Sequence, residues 1–585
     1  MRKLGILIMA LASANVFGAP RFAADPALEV KTLPNSMKIA VMKNSEPPNR
    51  VSMRLLIRRG SAHETESERG LAHFLEHMAF NGTKSFPAGD MVEYFQRLGM
   101  AFGADTNAHT GFSETVYKLD MPEVSDKLLR DGMALLRDYC DGMLLDPEAI
   151  DKERGVIVAE MKSRDTNEYR RAVKEIRHYF KGSVFGDRMP IGLESVVKNA
   201  KREDFEGFYR ASYRPENAVL VVVGDVDPSE IFALAEKAFA SFEGDKNSSN
   251  RADNFGKLEI AEEVKSFIDG AGLDADSVYD PIENSSKSYA SVSLSKPLSG
   301  PDSLERRIED ARLQTALYAV NARYLRVADT PGSGVTNGSA GSFDFSRFCR
   351  TLIFSAESPV TERARALAEN FRQLLGVPNI SDAELDAAKK KLFRQLESAI
   401  SAKTTRNNRD LANEIVSAFS DGAVFTSPED DLEIAKAALD GFSANDAVEL
   451  LKREFSGAKI KVFLSDSARE IPQAELEKEV AAAFAEAKGS LHDPAKFAPS
   501  KLEFSKFAEP GKIAKSSEVA ELGIKMFEFE NGVRLNAKRT DFRKDEIRVK
   551  ISFGNGLLDI PEGKPEYFAA LYALSLIHIS EPTRP

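Results

Sequence analysis

Tryptophan is missing from this 585-residue chain, cysteine occurs twice and histidine seven times. Two cysteines, Cys140 and Cys349, cannot build a disulfide framework or a cysteine-rich zinc module. They lie far apart, and neither has a His or Cys neighbour at ligand spacing, so both are expected to be buried free thiols. Positive charge is not in excess: 79 Lys+Arg against 90 Asp+Glu leave a net charge of −11. No basic stripe stands out, which argues against a nucleic-acid partner. No apolar run reaches the ~20 residues that a membrane span needs, so no stable span is expected. The missing tryptophan carries no reading for fold or function.

What is present begins with the N-terminus. Arg2 and Lys3 precede a short apolar stretch from Leu4 to Leu11, and Ala12-Ser13-Ala14 and Val16-Phe17-Gly18 each resemble a cleavage site. Residues 1–18 are therefore expected to be a signal peptide, with export to a bacterial periplasm. The hydrophobic share of 43% and charged share of 29% suit a soluble globular protein. The length exceeds one ordinary domain.

The densest chemistry lies in Gly70-Leu-Ala-His73-Phe-Leu-Glu76-His77-Met-Ala-Phe-Asn81-Gly82-Thr83. Two imidazoles four apart on a helix share one face, about one turn apart. That spacing lets both bind one tetrahedral zinc. Glu76 stands beside the second His, where a carboxylate can take a proton from an activated water. The order H-x-x-E-H is the inverse of H-E-x-x-H. Taken alone the motif is more often a chance pattern of structural histidines. A third ligand is therefore required.

Asp146-Pro147 reads as an N-cap and first helical residue. The helix it opens places Glu153 and Glu160 two turns apart on one face. A carboxylate from such a second helix would complete a three-ligand site with one open position. The bland alternative is a solvated helix face, since Glu is usually exposed.

Together with Phe86-Pro87-Ala88-Gly89 and Glu153-x6-Glu160, the stretch Gly70–Thr83 resembles the pitrilysin/insulysin family of zinc metallopeptidases, which includes the mitochondrial processing peptidases. The segment between His77 and Glu160 is a few residues longer than usual in that family, as an insertion in a loop would make it. The resemblance implies His73 and His77 as histidine ligands, Glu160 as the distal ligand, and Glu76 as general base. It implies that Glu153 supports the site without the main ligand role. Asn107 and Ala108 match residues that line the scissile bond on an edge strand, where an extended peptide adds by strand pairing. His109 is read as a strand side chain, because a fourth protein ligand would close the site. His63 and His178 are expected at the surface. The implied activity is a zinc endopeptidase with one zinc per chain, acting on peptides or unfolded polypeptides. Two rivals stand beside it: a non-proteolytic, chaperone-like peptide binder of the same fold, and a processing-peptidase-like subunit that needs a partner. A homodimer is left open.

The expected fold class is α+β, with tandem domains of similar topology, each a mainly antiparallel sheet packed with helices. Residues 27–245 read as the catalytic domain, with Val51–Ile57 as a half-buried strand and Asn217–Gly224 as a strand. Gly244–Gly256 reads as a polar linker. Residues 257–470 read as a non-catalytic domain without H-x-x-E-H, in which Ser381 and Ser443 open helices and the glycine-rich Gly332–Gly341 is a turn. Residues 471–520 read as a connector. In 521–573 a repeat begins: Asn531–Arg539 aligns without gaps to Asn35–Lys43, and Ile547–Phe553 to Val51–Ile57. At that offset His73, Glu76 and His77 fall on Ala569, Tyr572 and Ala573, so the third copy lacks the ligands. Residues 574–585 read as a translated sequencing adapter, and His578 is set aside with them. The residues of a far half that would hold substrate are expected beyond Ala573.

Overall fold

Six segments become the first sheet, the central two, β3 and β6, rich in valine, isoleucine and leucine: β1 (Leu28–Thr32), β2 (Lys38–Lys43), β3 (Val51–Ile57), β4 (Thr106–Thr110), β5 (Thr115–Met121) and β6 (Ala218–Gly224). The computed structural model describes residues 20–540, 547–552 and 554, apart from 88, 102, 104, 259–272, 274, 283–284, 299, 457–458, 468–469 and 494–508. The expected signal peptide, the 574–585 tail and the positions aligned with the H-x-x-E-H motif lie outside the described residues. The strand order is β1-β2-β6-β3-β5-β4, with β2 and β6 parallel and the other pairs antiparallel. The edge strands are thus β1 and β4, and β4 carries Asn107 and Ala108.

Eight helices accompany this sheet: α1 (Leu71–Met78), α2 (Asp90–Arg97), α3 (Asp126–Asp141), α4 (Pro147–Arg164), α5 (Asn167–Tyr179), α6 (Glu194–Asn199), α7 (Arg202–Ser212) and α8 (Pro228–Phe239). One sheet face, through Ile39, Met53, Leu55 and Leu220, packs on α1, α3, α7 and α8 in a single core. Asp146 caps α4 as expected, accepting from the N–H groups of Glu148 and Ala149.

The second sheet holds β7 (Ala275–Pro281), β8 (Lys287–Pro297), β9 (Asn337–Phe345), β10 (Cys349–Pro359) and β11 (Ile460–Asp466) in the order β7-β11-β8-β10-β9. Only β7 and β11 are parallel. That repeats the β2-β6-β3-β5-β4 pattern strand for strand, as expected for a duplicated domain. Its helices are α9 (Leu304–Asp329), α10 (Arg363–Leu375), α11 (Asp382–Ala402), α12 (Asn408–Asp421), α13 (Pro428–Leu439), α14 (Ala444–Phe455) and α15 (Gln473–Gly489). Ser381 and Ser443 form capping boxes with Glu384 and Asp446.

Several expectations need correction. Every residue of β3 is buried, not alternate ones. The reason is α12: its Leu411, Ala412, Ile415 and Val416 cover the other face of the first sheet against Leu56, Val116, Val219 and Val221. In return, Ile176 and Tyr179 of α5, with Phe180 and Phe185, cover the second sheet at Val278, Tyr289, Ile353 and Phe463. The two domains exchange cover helices and are not self-contained. The span read as a connector from 471 opens with α15, whose Leu476, Val480, Ala483 and Ala487 belong to the second core. Half of the glycine-rich turn is strand β9. The polar linker is bound down, with Arg251 on Glu68 at 2.6 Å and Asp253 on His63 at 3.1 Å. Both cysteines are free and buried, as expected.

Ile513 opens a second compact unit with β12 (Ile513–Val519), β13 (Ile524–Phe529) and β14 (Arg534–Lys538). At the offset that aligns Asn531 with Asn35, the β13–β14 register reproduces the β1–β2 register. Ile524 faces Lys538 as Leu28 faces Met42, and Glu528 faces Arg534 as Thr32 faces Lys38. Residues 547–552, aligned with β3, form no strand.

Candidate metal centre

The first helix after β3 is short, only eight residues, and seven of them are buried. Its entry needs two glycines. Gly70 sits at φ +107, and a Cβ on Gly192 would fall 2.3 Å from the Cα of Gly70. Only residues without side chains permit that approach. Helix α1 has no side-chain cap at Gly70; instead the buried carboxylate of Glu64 accepts from the N–H of Gly70 at 2.9 Å and of Ala72 at 2.8 Å. Burial pushes the Glu64 carboxyl up to about 8, against those two N–H groups.

This places His73 and His77 on one face, ring centroids 4.8 Å apart. Helix α4 brings Glu160 opposite them. Glu160 Oε1 lies 3.7 Å from His73 Nε2, and Oε2 lies 3.4 Å from His77 Nε2. One donor atom from each of the three residues falls within 4.8 Å of the others. Ligands at about 2.0–2.1 Å from a tetrahedral zinc are separated by ~3.4 Å. The donor set, two imidazole nitrogens and a carboxylate, is therefore both chemically and spatially suited to zinc. Among the described residues it is the one such cluster of His, Cys, Asp and Glu found.

Glu153, two turns before Glu160, does not join the cluster. Its Oε1 accepts from His77 Nδ1 at 2.8 Å and its Oε2 from Asn81 Nδ2 at 3.0 Å. A proton fixed on Nδ1 leaves Nε2 free as a ligand. His73 has no such partner: its buried Nδ1 meets no acceptor among the described residues.

Electrostatics divide the pair. Burial, with the neighbouring charge of His77, pushes His73 down to about 4. Burial would also lower His77, but Glu153 and Glu160 outweigh it and push that imidazole up to about 9. Glu160 is held down to about 2, first by its contact with His77 and then by His73 and Arg164. Arg164 Nη2 reaches Glu160 Oε1 at 2.5 Å. Without metal, the positive charge of the pair is therefore favoured on His77, between Glu153 and Glu160.

Glu76 faces the edge strand β4. It is buried, and its Oε2 accepts from Thr110 Oγ1 of β4 at 2.7 Å. Burial raises its carboxyl, while the Thr110 hydroxyl, His77 and His109 pull it back. Asn107 is exposed and Ala108 half-buried on the same strand, which among the described residues pairs with β5. The sequence singled out β4 but not Thr110, Glu64 or Asn81's second bond. Thr110 could have been found, since alternation puts it on the same strand face as Ala108.

His109 is a strand side chain as expected, with Nε2 3.3 Å from Glu114 Oε1. His63 and His178 are not at the surface: they are 6% and 5% exposed. His63 Nδ1 accepts from the Gly60 N–H at 3.2 Å, while His178 sits where α5 meets the second sheet and burial pushes it down to about 4.

Residues 39–180 match the family model described as "Insulinase (Peptidase family M16)", and residues 199–392 match "Peptidase M16 inactive domain". The probable zinc protease PqqL of Escherichia coli is 27% identical over 448 residues, 74% of this chain and 46% of that protein. A zinc protease PQQL-like protein of Arabidopsis thaliana is 23% identical over 544 residues, 91% of this chain and 52% of that one. The crystal structure of the periplasmic protease PqqL from Escherichia coli superposes with a TM-score of 0.72 at 22% identity, covering 88% of this chain and 56% of that one. The chain spans about half the length of the curated relatives it matches.

Proposed function

Because the chain belongs to the insulinase family, peptidase family M16, we propose that it is a zinc endopeptidase cleaving peptides or unfolded polypeptides. The observation that carries this reading is the cluster of His73, His77 and Glu160 donor atoms beside a carboxylate, Glu76, that faces the edge strand. His73, His77 and Glu160 would hold one zinc, and Glu153 would orient His77. When bound, the metal supplies Lewis acidity for a carbonyl and a lowered pKa for water.

The chain's own residues supply the rest. The edge strand β4 would take an extended substrate by strand addition, with Asn107 and Ala108 beside the scissile bond. Glu76 takes the proton of the attacking water and delivers it to the leaving amine. Its burial raises the carboxyl above the ordinary carboxylate range, and the Thr110 hydroxyl opposes that rise. Glu153 keeps the proton of His77 on Nδ1.

The β13–β14 register supports a third copy of the domain unit starting near 521, without the ligands. Export as a periplasmic enzyme is supported by residues 1–18 and by the periplasmic relative. No helix among the described residues is long and apolar enough to cross a membrane. The test is cleavage of quenched-fluorescence peptides. Activity should vanish with chelator and return with zinc, and Glu76→Gln should bind zinc but not cleave. A metal-loaded chain that binds peptide without cleaving it would favour the chaperone-like alternative.

A further inference from the structure

The third ligand sits on the more exposed of the two ligand helices. Helix α4 has only two buried residues, Ile150 and Ile157. Its N-terminal part is fixed by the Asp146 cap and by Arg154 bonding to the carbonyl of Ala200 at 3.0 Å. Beyond Ile157 no residue of α4 is fully buried; only the half-buried Val158 and Met161 touch the first core there, and Glu160 lies between them. A tight turn joins α4 to α5. Within it, Thr166 Oγ1 caps α5 by accepting from Tyr169 N at 3.2 Å, and Arg170 grips Asp165 with contacts of 2.7 and 2.6 Å. Helix α5 is then docked on the second domain. Tyr179 Oη bonds to Ser291 Oγ of β8 at 2.5 Å, Lys174 pairs with the buried Asp280 of β7, and the Arg171 guanidinium lies 4.8 Å from the Tyr289 ring centroid. Phe180, one residue on, stacks on Phe345 of β9 at 4.3 Å.

We propose that the second domain is a positioning element for the metal centre: α5, strapped to the β7–β8–β11 face, fixes the C-terminal turn of α4 and so the reach of Glu160. The domain without ligands then has a direct part in the site, through helix continuity. A helix transmits the displacement of one end to the other because its backbone bonds keep it stiff over two turns. A ligand that must be drawn into place costs affinity, and partners one layer out from a metal change affinity by about 10–100-fold.

This inference rests on the zinc reading, and the experiment separates the two. In the full chain, Tyr179→Phe removes one hydroxyl without changing packing, and Arg171→Ala with Lys174→Ala removes the charged contacts. Zinc affinity is measured by chelator competition, and backbone hydrogen exchange is followed over residues 158–180. The expected result is faster exchange across α5 and the end of α4, with zinc bound about tenfold more weakly in the double variant. Tyr179→Phe should give a smaller change in the same direction. A merely structural role would lower melting temperature but leave the zinc dissociation constant alone. Faster exchange with unchanged affinity would overturn the proposal. Unchanged exchange in both variants would also overturn it, because the named contacts would not be holding the strap. A wild type that binds no zinc would instead sink the metal reading beneath it.

Discussion

Ile415→Ala tests the exchange of cover helices from the other side. Ile415 belongs to α12 of the second domain, yet it is fully buried against the first sheet with Leu56, Val116 and Val221. Truncating a buried Ile to Ala costs about 2–5 kcal/mol, the transfer of the lost methyls plus the cavity left behind. Here ~3 kcal/mol is expected, because a rigid sheet on one side and a helix on the other limit collapse into the gap. That is a large part of the ~5–15 kcal/mol by which a domain is folded. It corresponds to about two orders of magnitude in the folding equilibrium. The assay is urea unfolding followed by far-ultraviolet circular dichroism, since the chain has no tryptophan. Chelator must be in excess, because bound zinc adds its own stabilisation. Ser417→Ala on the exposed side of α12 should change stability by less than ~0.5 kcal/mol. If Ile415→Ala is equally mild, α12 does not complete the first domain and the reasoning fails.

Three further outcomes are expected. Glu153→Ala should weaken zinc binding by about 10–100-fold, read by chelator competition, because Nδ1 of His77 loses its acceptor; Glu153→Gln keeps an acceptor and should cost less. Glu76→Gln should retain zinc and lose peptide turnover by ~10²–10⁴-fold, read with a quenched peptide at fixed metal content. Zinc affinity should fall about tenfold for each pH unit below 9, since the metal must displace the proton that Glu153 and Glu160 hold on His77. The same raised pKa has the opposite sign for the metal-free protein. His77 adds stability below its unfolded pKa of ~6.5, and that part is lost as pH rises through about 9.

The motif on α1 was legible because the spacing of two histidines on a helix follows from helix geometry alone. Strand β6 and the caps of α4, α11 and α14 were legible for the same local reason. Glu160 was not fixed by local rules. A ligand on another helix has no spacing law, and only the family resemblance chose it over Glu153. The double burial of β3 was out of reach, since its cover arrives on α12; Arg54 of β3 bonds to Asn413 across 359 residues of sequence. His63 and His178 were misplaced because their surroundings, Asp253 for one and the second sheet for the other, come from segments that look polar or separate in sequence. The Gly244–Gly256 stretch shows the limit of composition: two of its polar residues, Arg251 and Asp253, tie it to Glu68 and His63.

The most direct test of the account is the zinc content of three chains purified side by side: wild type, Glu160→Ala and Glu153→Ala. The account predicts about one zinc in the wild type, almost none in Glu160→Ala, and an intermediate content in Glu153→Ala that rises to the wild-type value when zinc is supplied in excess. Full zinc in Glu160→Ala with loss in Glu153→Ala, or no zinc in the wild type, would contradict it.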